Sequence, residues 1–179
     1  MKSLNIKEVK TAVKVANIVQ DNGQSPSFWK PEWVGDREII RDNSGRVYII
    51  VSDGIIKKIG GSQSKGGIIN TISSYKGGLA GKPSIRTYGI NVLITEEMKQ
   101  GRKVEIWMIQ SPVVQAPVKG LFSEDTIDVA AFKEMENKCV LDYKNITGDY
   151  PDWNFQESGK KWPDFVNEGY VTQLKKSIK

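Results

Sequence analysis

Residues 46–60 constrain the fold more than any other part of the chain. Residues 47–51 are β-branched or aromatic, Asp53-Gly54 is a turn pair, and apolar residues return over 55–59. Two such runs around an Asp-Gly pair are typical of a β-hairpin. Because Gly60-Gly61 then interrupts the pattern, we expect the second strand to end there. The fold is therefore expected to contain an antiparallel sheet built around this hairpin.

The remaining periodicity predicts helices over residues 3–20, 66–75, 84–100 and 125–144, a strand over 103–110, and loops over 24–40 and 111–123. Segment 84–100 is also compatible with a strand, but Gly101 after a polar turn favours the end of a helix. Trp29 and Trp33 indicate that the first loop is anchored by aromatic side chains rather than flexible.

This element order predicts an α+β fold with a small three-stranded antiparallel sheet flanked by helices. We expect three parts: an N-terminal helical arm over residues 1–40, a core over 41–158, and a basic C-terminal tail over 159–179 that packs on the core.

The composition excludes several kinds of active site. The 179 residues contain no histidine, which excludes His-ligated zinc, His-based triads and nucleases with an imidazole base. The single cysteine, Cys139, excludes an intrachain disulfide and a Cys-rich zinc site. Cys139 lies on an apolar stripe and is expected to be a small buried side chain. Catalysis, if present, must use Asp, Glu, Lys, Arg, Tyr, Ser or Cys139; otherwise the chain is a binding module.

Partners and location are only weakly constrained. No apolar run is long enough to span a membrane and the N-terminus lacks the apolar core of a signal peptide, so no membrane partner and a cytoplasmic location are expected. The net charge of +5 permits a polyanionic partner without requiring one. The glycine-rich segment 60–67 lacks the Gly-Lys-Ser/Thr ending of a nucleotide P-loop, so no nucleotide cofactor is expected.

Four motifs occur in a suggestive order: Val47-Tyr48-Ile49, Lys58-Ile59-Gly60, Glu136-Asn137 and Pro151-Asp152-Trp153-Asn154. Together they resemble the GIY-YIG nuclease superfamily over residues 45–158. That family has a Gly-Ile-Tyr strand, a Tyr-Ile-Gly strand, a helix with an arginine, a helix with a metal-binding glutamate, and an asparagine. Some short type II restriction enzymes of the family carry lysine in place of the second tyrosine. Here Arg46-Val47 replaces Gly-Ile, and no arginine occurs at 68–71.

The resemblance implies an endonuclease that uses Mg²⁺ or Mn²⁺ to cut double-stranded DNA, most closely a sequence-specific type II restriction enzyme. Cutting both strands of a palindromic site favours a homodimer. The implied catalytic residues are Tyr48, Lys58, Arg86 (with Lys65 as the second candidate for the missing cation), Glu136 as the metal ligand, and Asn154. The implied DNA contacts are Gly60, Ser62 and Lys65. The alternative is a non-catalytic DNA-binding or protein-interaction module with a degenerate nuclease site.

Tyr48 and Lys58 can also be tested by chemistry and register. A tyrosine base needs a nearby cation to ionise near neutral pH; Lys58 could supply that cation or take the proton itself. The two residues pair directly only if the hairpin loop has an odd number of residues, since a two-residue turn would place Tyr48 opposite Ile59. We therefore predict a three-residue or bulged turn near Asp53, and side chains on opposite sheet faces would contradict the hypothesis.

Glu136 differs from Glu134 in helical position. It lies within the stripe of Phe132, Cys139, Val140 and Tyr143, whereas Glu134 lies on the polar side. An inward carboxylate needs a cation or a metal, and helical position alone leaves a salt bridge with a lysine equally open. One carboxylate with phosphate oxygens and waters suits Mg²⁺, and the family resemblance favours that interpretation.

Overall fold

The computed structural model describes residues 3–23 and 26–177. In chain order its elements are β1 (Val13–Gln20), β2 (Trp29–Trp33), α1 (Arg37–Arg41), β3 (Arg46–Ser52), β4 (Ile55–Ser62), α2 (Gly67–Lys76), α3 (Ile85–Lys99), β5 (Val104–Gln110), β6 (Val113–Lys119), β7 (Glu124–Ala130), α4 (Phe132–Thr147), α5 (Phe155–Ser158) and α6 (Asp164–Lys176). Short 3₁₀ helices span Ile6–Glu8 and Gly77–Leu79.

The main sheet has five antiparallel strands in the order β2-β1-β5-β3-β4, and β6 pairs only with β7. The predicted α+β class is confirmed, but the predicted three-stranded sheet is two strands too small. Apolar side chains cover both faces of the sheet. Tyr48 and Ile50 join the cluster under α2 and α3, whereas Val47 and Ile49 join the cluster under α4.

The β3–β4 hairpin has a two-residue turn followed by a bulge. Asp53 and Gly54 both have positive φ, at 46° and 80°, as the primed hairpin turn requires. The register then shifts so that Val51 pairs with Ile56 but Ile50 pairs with Lys58. Tyr48 consequently lies opposite Gly60, and Lys58 is its diagonal neighbour on the same face. The predicted shared face is confirmed. The predicted direct pairing is wrong, because the extra residue lies in β4 and moves the partner of Tyr48 from Ile59 to Gly60, away from Lys58.

The N-terminal helix predicted over residues 3–20 is wrong. The chain instead forms one 3₁₀ turn at Ile6–Glu8 and then strand β1. A register shift between Lys14 and Ala16 in the pairing with β5 breaks the two-residue alternation. The buried Val15, Ala16 and Ile18 therefore mimic a helical stripe in the sequence.

The predicted loop over residues 24–40 contains the edge strand β2 and helix α1. Its aromatic anchor is confirmed, since Trp29 is fully buried and its indole Nε1 donates to the Asn91 carbonyl at 3.3 Å. Residues 24 and 25 of this segment lie outside the described residues. Pro31 is tolerated because β2 pairs on one side only.

The predicted loop over 111–123 is also wrong, because β6 begins at Val113 and β7 occupies the first turns of the helix predicted from 125. That helix, α4, starts at Phe132. By contrast, the helices predicted over 66–75 and 84–100 and the strand over 103–110 correspond to α2, α3 and β5.

The C-terminal segment packs on α3. A Cβ at Gly89 would lie 2.4 Å from the Trp162 ring, and the Tyr170 hydroxyl donates to the Pro83 carbonyl at 3.0 Å. Residues 1–40 are not a helical arm, since β1 and β2 belong to the main sheet; the division into arm, core and tail otherwise stays a prediction. Residues 1–2 and 178–179, with their lysines, lie outside the described residues. Within the described ranges, every helix is too short or too polar to cross a membrane.

Candidate active site at the edge of the sheet

The predicted site residues gather around β4, which is an edge strand of the main sheet. Two adjacent glycines make the close approach possible. A Cβ on Gly60 would lie 2.4 Å from the Tyr48 hydroxyl oxygen, and a Cβ on Gly61 would lie 2.5 Å from Glu136 Oε2. Because successive residues of a strand face opposite sides, Tyr48 approaches one face and Glu136 the other. The site therefore straddles the edge of the sheet.

Tyr48 is nearly fully buried, and its hydroxyl lies 2.5 Å from the hydroxyl of Tyr75 on α2. Burial raises the pKa of Tyr48 well above 10.0, and the neighbouring Tyr75 raises it further, whereas the positive charge of Arg86 lowers it. These surroundings favour the neutral phenol over the phenolate. In the sequence, Tyr75 is only one member of an apolar helical stripe, so no local signal marks it as part of the site.

Lys58 is only 3% exposed. Burial lowers the pKa of its ammonium group from the usual 10.5, the charge of Glu157 opposes that shift, and Arg86 reinforces it. Desolvation thus moves this lysine toward the neutral amine, which can accept a proton. Glu157, in the short helix α5, is a second residue that the sequence did not single out.

Arg86 lies in the first turn of α3, at the cleft on the Tyr48 side. The cleft has a volume of about 140 Å³ and is lined by Tyr48, Gly61, Ser62, Ser64, Thr71, Ser74, Tyr75, Arg86 and Thr87. The charge of Arg86 acts on Tyr48, Lys58 and Tyr75, and Arg86 has no salt-bridge partner among the described carboxylates. The structure thus places a free guanidinium beside the predicted catalytic residues, on α3 rather than α2.

The three predicted DNA contacts lie in different surroundings. Gly60 is buried beneath the Tyr48 ring. The Ser62 hydroxyl lines the cleft and lies 2.7 Å from the Thr71 hydroxyl. Lys65 is exposed on the loop before α2 and does not line the cleft. Of the two candidates for the missing cation, only Arg86 therefore lies at the cleft.

Glu136 lies on the buried side of α4, as its helical position predicts, and it is 8% exposed. Its Oε2 accepts from Lys133 Nζ at 3.2 Å, one helical turn away. Lys133 itself is 69% exposed at its side chain, so this exposed cation satisfies Glu136 only weakly. Glu136 also lines a second pocket of about 320 Å³, which contains Glu157 and Asn137.

The Asn154 side chain forms two hydrogen bonds with the unpaired edge of β4. Its Oδ1 accepts from the Ile59 amide at 2.9 Å, and its Nδ2 donates to the Ile59 carbonyl at 2.8 Å. The Trp153 amide adds a bond to the Lys57 carbonyl at 2.8 Å. Ile59 lies between Lys58 and Gly60, so Asn154 fixes the strand that carries both. Asn154 is completely buried and does not line the cleft, which makes it a positioning residue.

Arg46 lies directly before the Val47-Tyr48-Ile49 motif, at the start of β3. Its guanidinium is buried and donates to the carbonyls of Asp42, Ser44 and Ser64. These bonds join the loop before β3 to the loop after β4. Arg46 therefore helps to hold one wall of the cleft in place, since Ser64 lines it.

The side chains present fit a single loosely held divalent cation better than a protein cage. Within residues 3–23 and 26–177, no group of three or more His, Cys, Asp or Glu side chains is arranged to hold a metal. Glu136 supplies one carboxylate at an open pocket. Mg²⁺ is commonly held by one or two carboxylates together with waters and substrate phosphate oxygens, and this donor set meets that requirement.

Comparisons with known proteins show the fold. No family model matches the chain, and no curated protein matches it. Among solved structures, a mutant of bacteriophage T4 EndoII covers 84% of this chain and 98% of its own, with a TM-score of 0.55 and 17% identity. The restriction endonuclease Hpy188I in complex with product DNA covers 84% of this chain and 85% of its own, with a TM-score of 0.47 and 21% identity. The chain therefore shares its fold with bacteriophage T4 EndoII.

Proposed function

We propose that this protein is a GIY-YIG-type endonuclease that hydrolyses phosphodiester bonds in double-stranded DNA. One observation carries the proposal: Tyr48 and Glu136 approach the adjacent glycines Gly60 and Gly61 at the edge of the sheet. The charges of Arg86 and Glu136 act on both the buried Tyr48 and the buried Lys58. The fold shared with a phage endonuclease, EndoII, supports this assignment.

Lys58 is the group best suited to take the proton from the attacking water. Phosphodiester hydrolysis needs a base for that water, positive charge for the transition state, and stabilisation of the leaving oxygen. Burial lowers the pKa of Lys58 and raises that of Tyr48. In this role Lys58 Nζ accepts the water proton, while the neutral Tyr48 hydroxyl, held by Tyr75, orients the water.

In this proposal Arg86 and Glu136 stabilise the negative charge of the reacting phosphate group. The guanidinium of Arg86 stabilises the negative charge that spreads over the phosphate oxygens in the transition state. Glu136 would hold one Mg²⁺ or Mn²⁺ ion, which supplies charge stabilisation at the departing oxygen. The phosphorus–oxygen bond to that oxygen breaks as the water oxygen bonds to phosphorus, and solvent returns a proton to the leaving group.

We further propose a sequence-specific type II restriction activity carried out by a homodimer. In this proposal the described unit itself recognises the DNA, with Ser62 and Lys65 contacting the DNA backbone near the cleft. Two copies related by two-fold symmetry match the symmetry of a palindromic site.

A non-catalytic DNA-binding module is the second candidate function. The absence of an arginine at 68–71 and the replacement of Gly-Ile by Arg46-Val47 favour it. Arg46 weakens this argument, because its guanidinium ties together the loops around the cleft and the position is not degenerate. Lys58 also weighs against it, since burying a lysine costs stability, and a binding module has no need for one beneath the surface.

Plasmid cleavage tests the proposal. We expect the wild-type protein to nick or linearise supercoiled plasmid in Mg²⁺ or Mn²⁺ and to leave it intact in EDTA. Glu136→Gln should lower the cleavage rate by about 10² or more, because the carboxylate that holds the cation is lost. Glu134→Gln is the matched control on the same helix: Glu134 is exposed, and its substitution should leave the rate unchanged.

Two outcomes would reject the nuclease assignment. One is a protein that shifts DNA in a gel but cuts none of several plasmids with Mg²⁺, Mn²⁺ or Co²⁺. The other is cleavage that survives Glu136→Gln undiminished, which would point to a contaminating nuclease or to another site. If the protein cuts, sequencing the ends of the cut plasmid would give the recognition sequence and stagger.

A further inference from the structure

The β6–β7 hairpin projects from the body of the protein. We call residues 113–130 the arm. Apart from Ala116 at the middle of β6 and Ala130 at the base, every residue of the arm is exposed. At its tip Leu121 is 93% exposed and Phe122 98%. None of the arm's described side chains belongs to either buried cluster of the core.

The arm is amphipathic. Directly paired residues of an antiparallel ribbon share a face, and the faces alternate along each strand. One face carries aliphatic residues with a single carboxylate near the tip: Val114, Ala116, Val118, Asp125, Ile127 and Val129. The opposite face is mostly polar, with Gln115, Pro117, Lys119, Glu124, Thr126 and Asp128 between Val113 and Ala130 at the base.

Such a ribbon requires a partner. A single two-stranded hairpin is at best marginally stable in water, and its stability normally comes from packing of an apolar face. Contiguous exposed apolar surface on a soluble protein commonly marks an interaction site. Partners can join a ribbon at an edge or at a face, but Pro117 lacks the N–H that an added strand beside β6 would need. The aliphatic face, on which Val114, Val118, Ile127 and Val129 are each 39–50% exposed, is a surface suited to docking.

Charge identifies the partner as protein rather than nucleic acid. The arm has one lysine, Lys119, against three carboxylates, whereas the whole chain has a net charge of +5. The acidic residues Glu124, Asp125 and Asp128 would be repelled by DNA phosphates. They are complementary to the basic remainder of the same protein, including the exposed Lys133 just beyond the base of the arm.

We propose that the arm is a dimerisation element whose aliphatic face packs against the same face of the arm in a second copy of this chain. An apolar ribbon face is self-complementary, as a two-fold interface requires. When two arms cross in opposite directions, each acidic tip lies over the basic body of the other copy. This assigns a surface to the homodimer proposed above, but its test requires neither DNA nor cleavage, so the two proposals can fail separately.

Sedimentation equilibrium of the purified full chain tests the arm. We expect wild type to have a mass twice that of the 20.0 kDa chain at micromolar concentration. Ile127→Lys places a charge on the aliphatic face and should raise the dissociation constant at least about tenfold. Thr126→Lys is the matched control, because Thr126 is the neighbouring residue on the polar face, and it should change the constant by less than about twofold.

Val114→Lys, at the base of the same face, provides a second variant, with Gln115→Lys as its control. Circular dichroism of all four variants should show an intact body, since the arm lies outside both cores. A wild type that remains monomeric up to about 100 µM would overturn the proposal. So would a dimer that survives both Ile127→Lys and Val114→Lys, or equal weakening by the variants and their controls.

Discussion

The two hairpins of this protein have similar β-structure and opposite surroundings. The β3–β4 hairpin lies in the main sheet and all seven residues of β3 are buried. In the β6–β7 hairpin almost every residue is exposed. β-branched sequence therefore determines the strand but not its burial. The candidate chemistry lies on the covered hairpin, because a lysine such as Lys58 changes its proton affinity only where water is excluded.

Replacing one valine near the start of each hairpin by alanine should give the largest difference between the two hairpins in the free energy of unfolding. Val47 is completely buried in the α4-side cluster, whereas Val113 is 54% exposed. Val47→Ala should lower the free energy of unfolding by about 2–3 kcal/mol, from lost burial and the cavity left behind. Val113→Ala should change it by less than about 0.5 kcal/mol. Urea denaturation of both variants measures the difference, and similar losses would mean that the arm packs on the body.

Replacing one glycine of each hairpin by alanine should give the next largest difference between the two hairpins in the free energy of unfolding. A Cβ at Gly60 would meet the Tyr48 hydroxyl at 2.4 Å, whereas the nearest atom at Gly120 is the Ser123 carbonyl oxygen at 3.4 Å. Gly60→Ala should cost about 1–3 kcal/mol through overpacking and lower cleavage by displacing Tyr48. Gly120→Ala should stay within about 0.5 kcal/mol. A Gly60→Ala protein with wild-type stability would show that Tyr48 is not held against β4.

Replacing Lys58 by methionine should give the smallest change in the free energy of unfolding. Unlike the other two substitutions, it should stabilise the protein. Burial lowers the pKa of Lys58 in the folded state below its usual 10.5. At neutral pH, folding of the wild type therefore costs the free energy either of burying the ammonium group or of releasing its proton. Lys58→Met should therefore stabilise the protein by about 1 kcal/mol at pH 7. The gain should shrink as the pH rises through the folded-state pKa toward 10.5, because the unfolded chain then binds more protons than the folded one and wild-type stability rises.

Chemical denaturation at pH 7 and pH 10 would measure both effects. A variant that is destabilised at pH 7, or whose gain grows with pH, would show that the Lys58 ammonium is well paired rather than desolvated. Lys57→Met is a suitable control, since Lys57 pairs with the exposed Asp152 at 2.8 Å and such surface pairs contribute little.

Elements with an undisturbed local pattern could be predicted from the sequence. The Asp53-Gly54 turn, helices α2 and α3, and strand β5 all follow from turn chemistry and periodicity. Strand β1 could not, because its bulge hides the alternation. Strand β6 could not either, since Pro112, Pro117 and exposed valines resemble a loop when no burial supports the pattern.

For the candidate site, the identity of the residues could be predicted from the sequence more readily than the contacts that position their side chains. The inward position of Glu136 follows from its helical stripe. The shared face of Tyr48 and Lys58 instead depends on the bulge in β4, because a two-residue turn alone would place them on opposite faces. The contacts of these three residues with Tyr75, Glu157 and Gly61 depend on where α2, α5 and β4 meet. No local sequence pattern predicts these contacts, because they arise from packing between segments that are far apart in the chain.

The most direct test is single-turnover cleavage of a labelled duplex that contains the site mapped for the wild type, with Lys58→Met and Lys57→Met compared side by side. Lys58→Met should cut about 10²–10⁴-fold more slowly, as expected for a missing proton acceptor, while binding the duplex with nearly unchanged affinity. Lys57→Met should cut within about threefold of the wild type. If Lys58→Met instead cuts at the wild-type rate, the buried lysine on β4 takes no proton, and the proposed catalytic site is wrong.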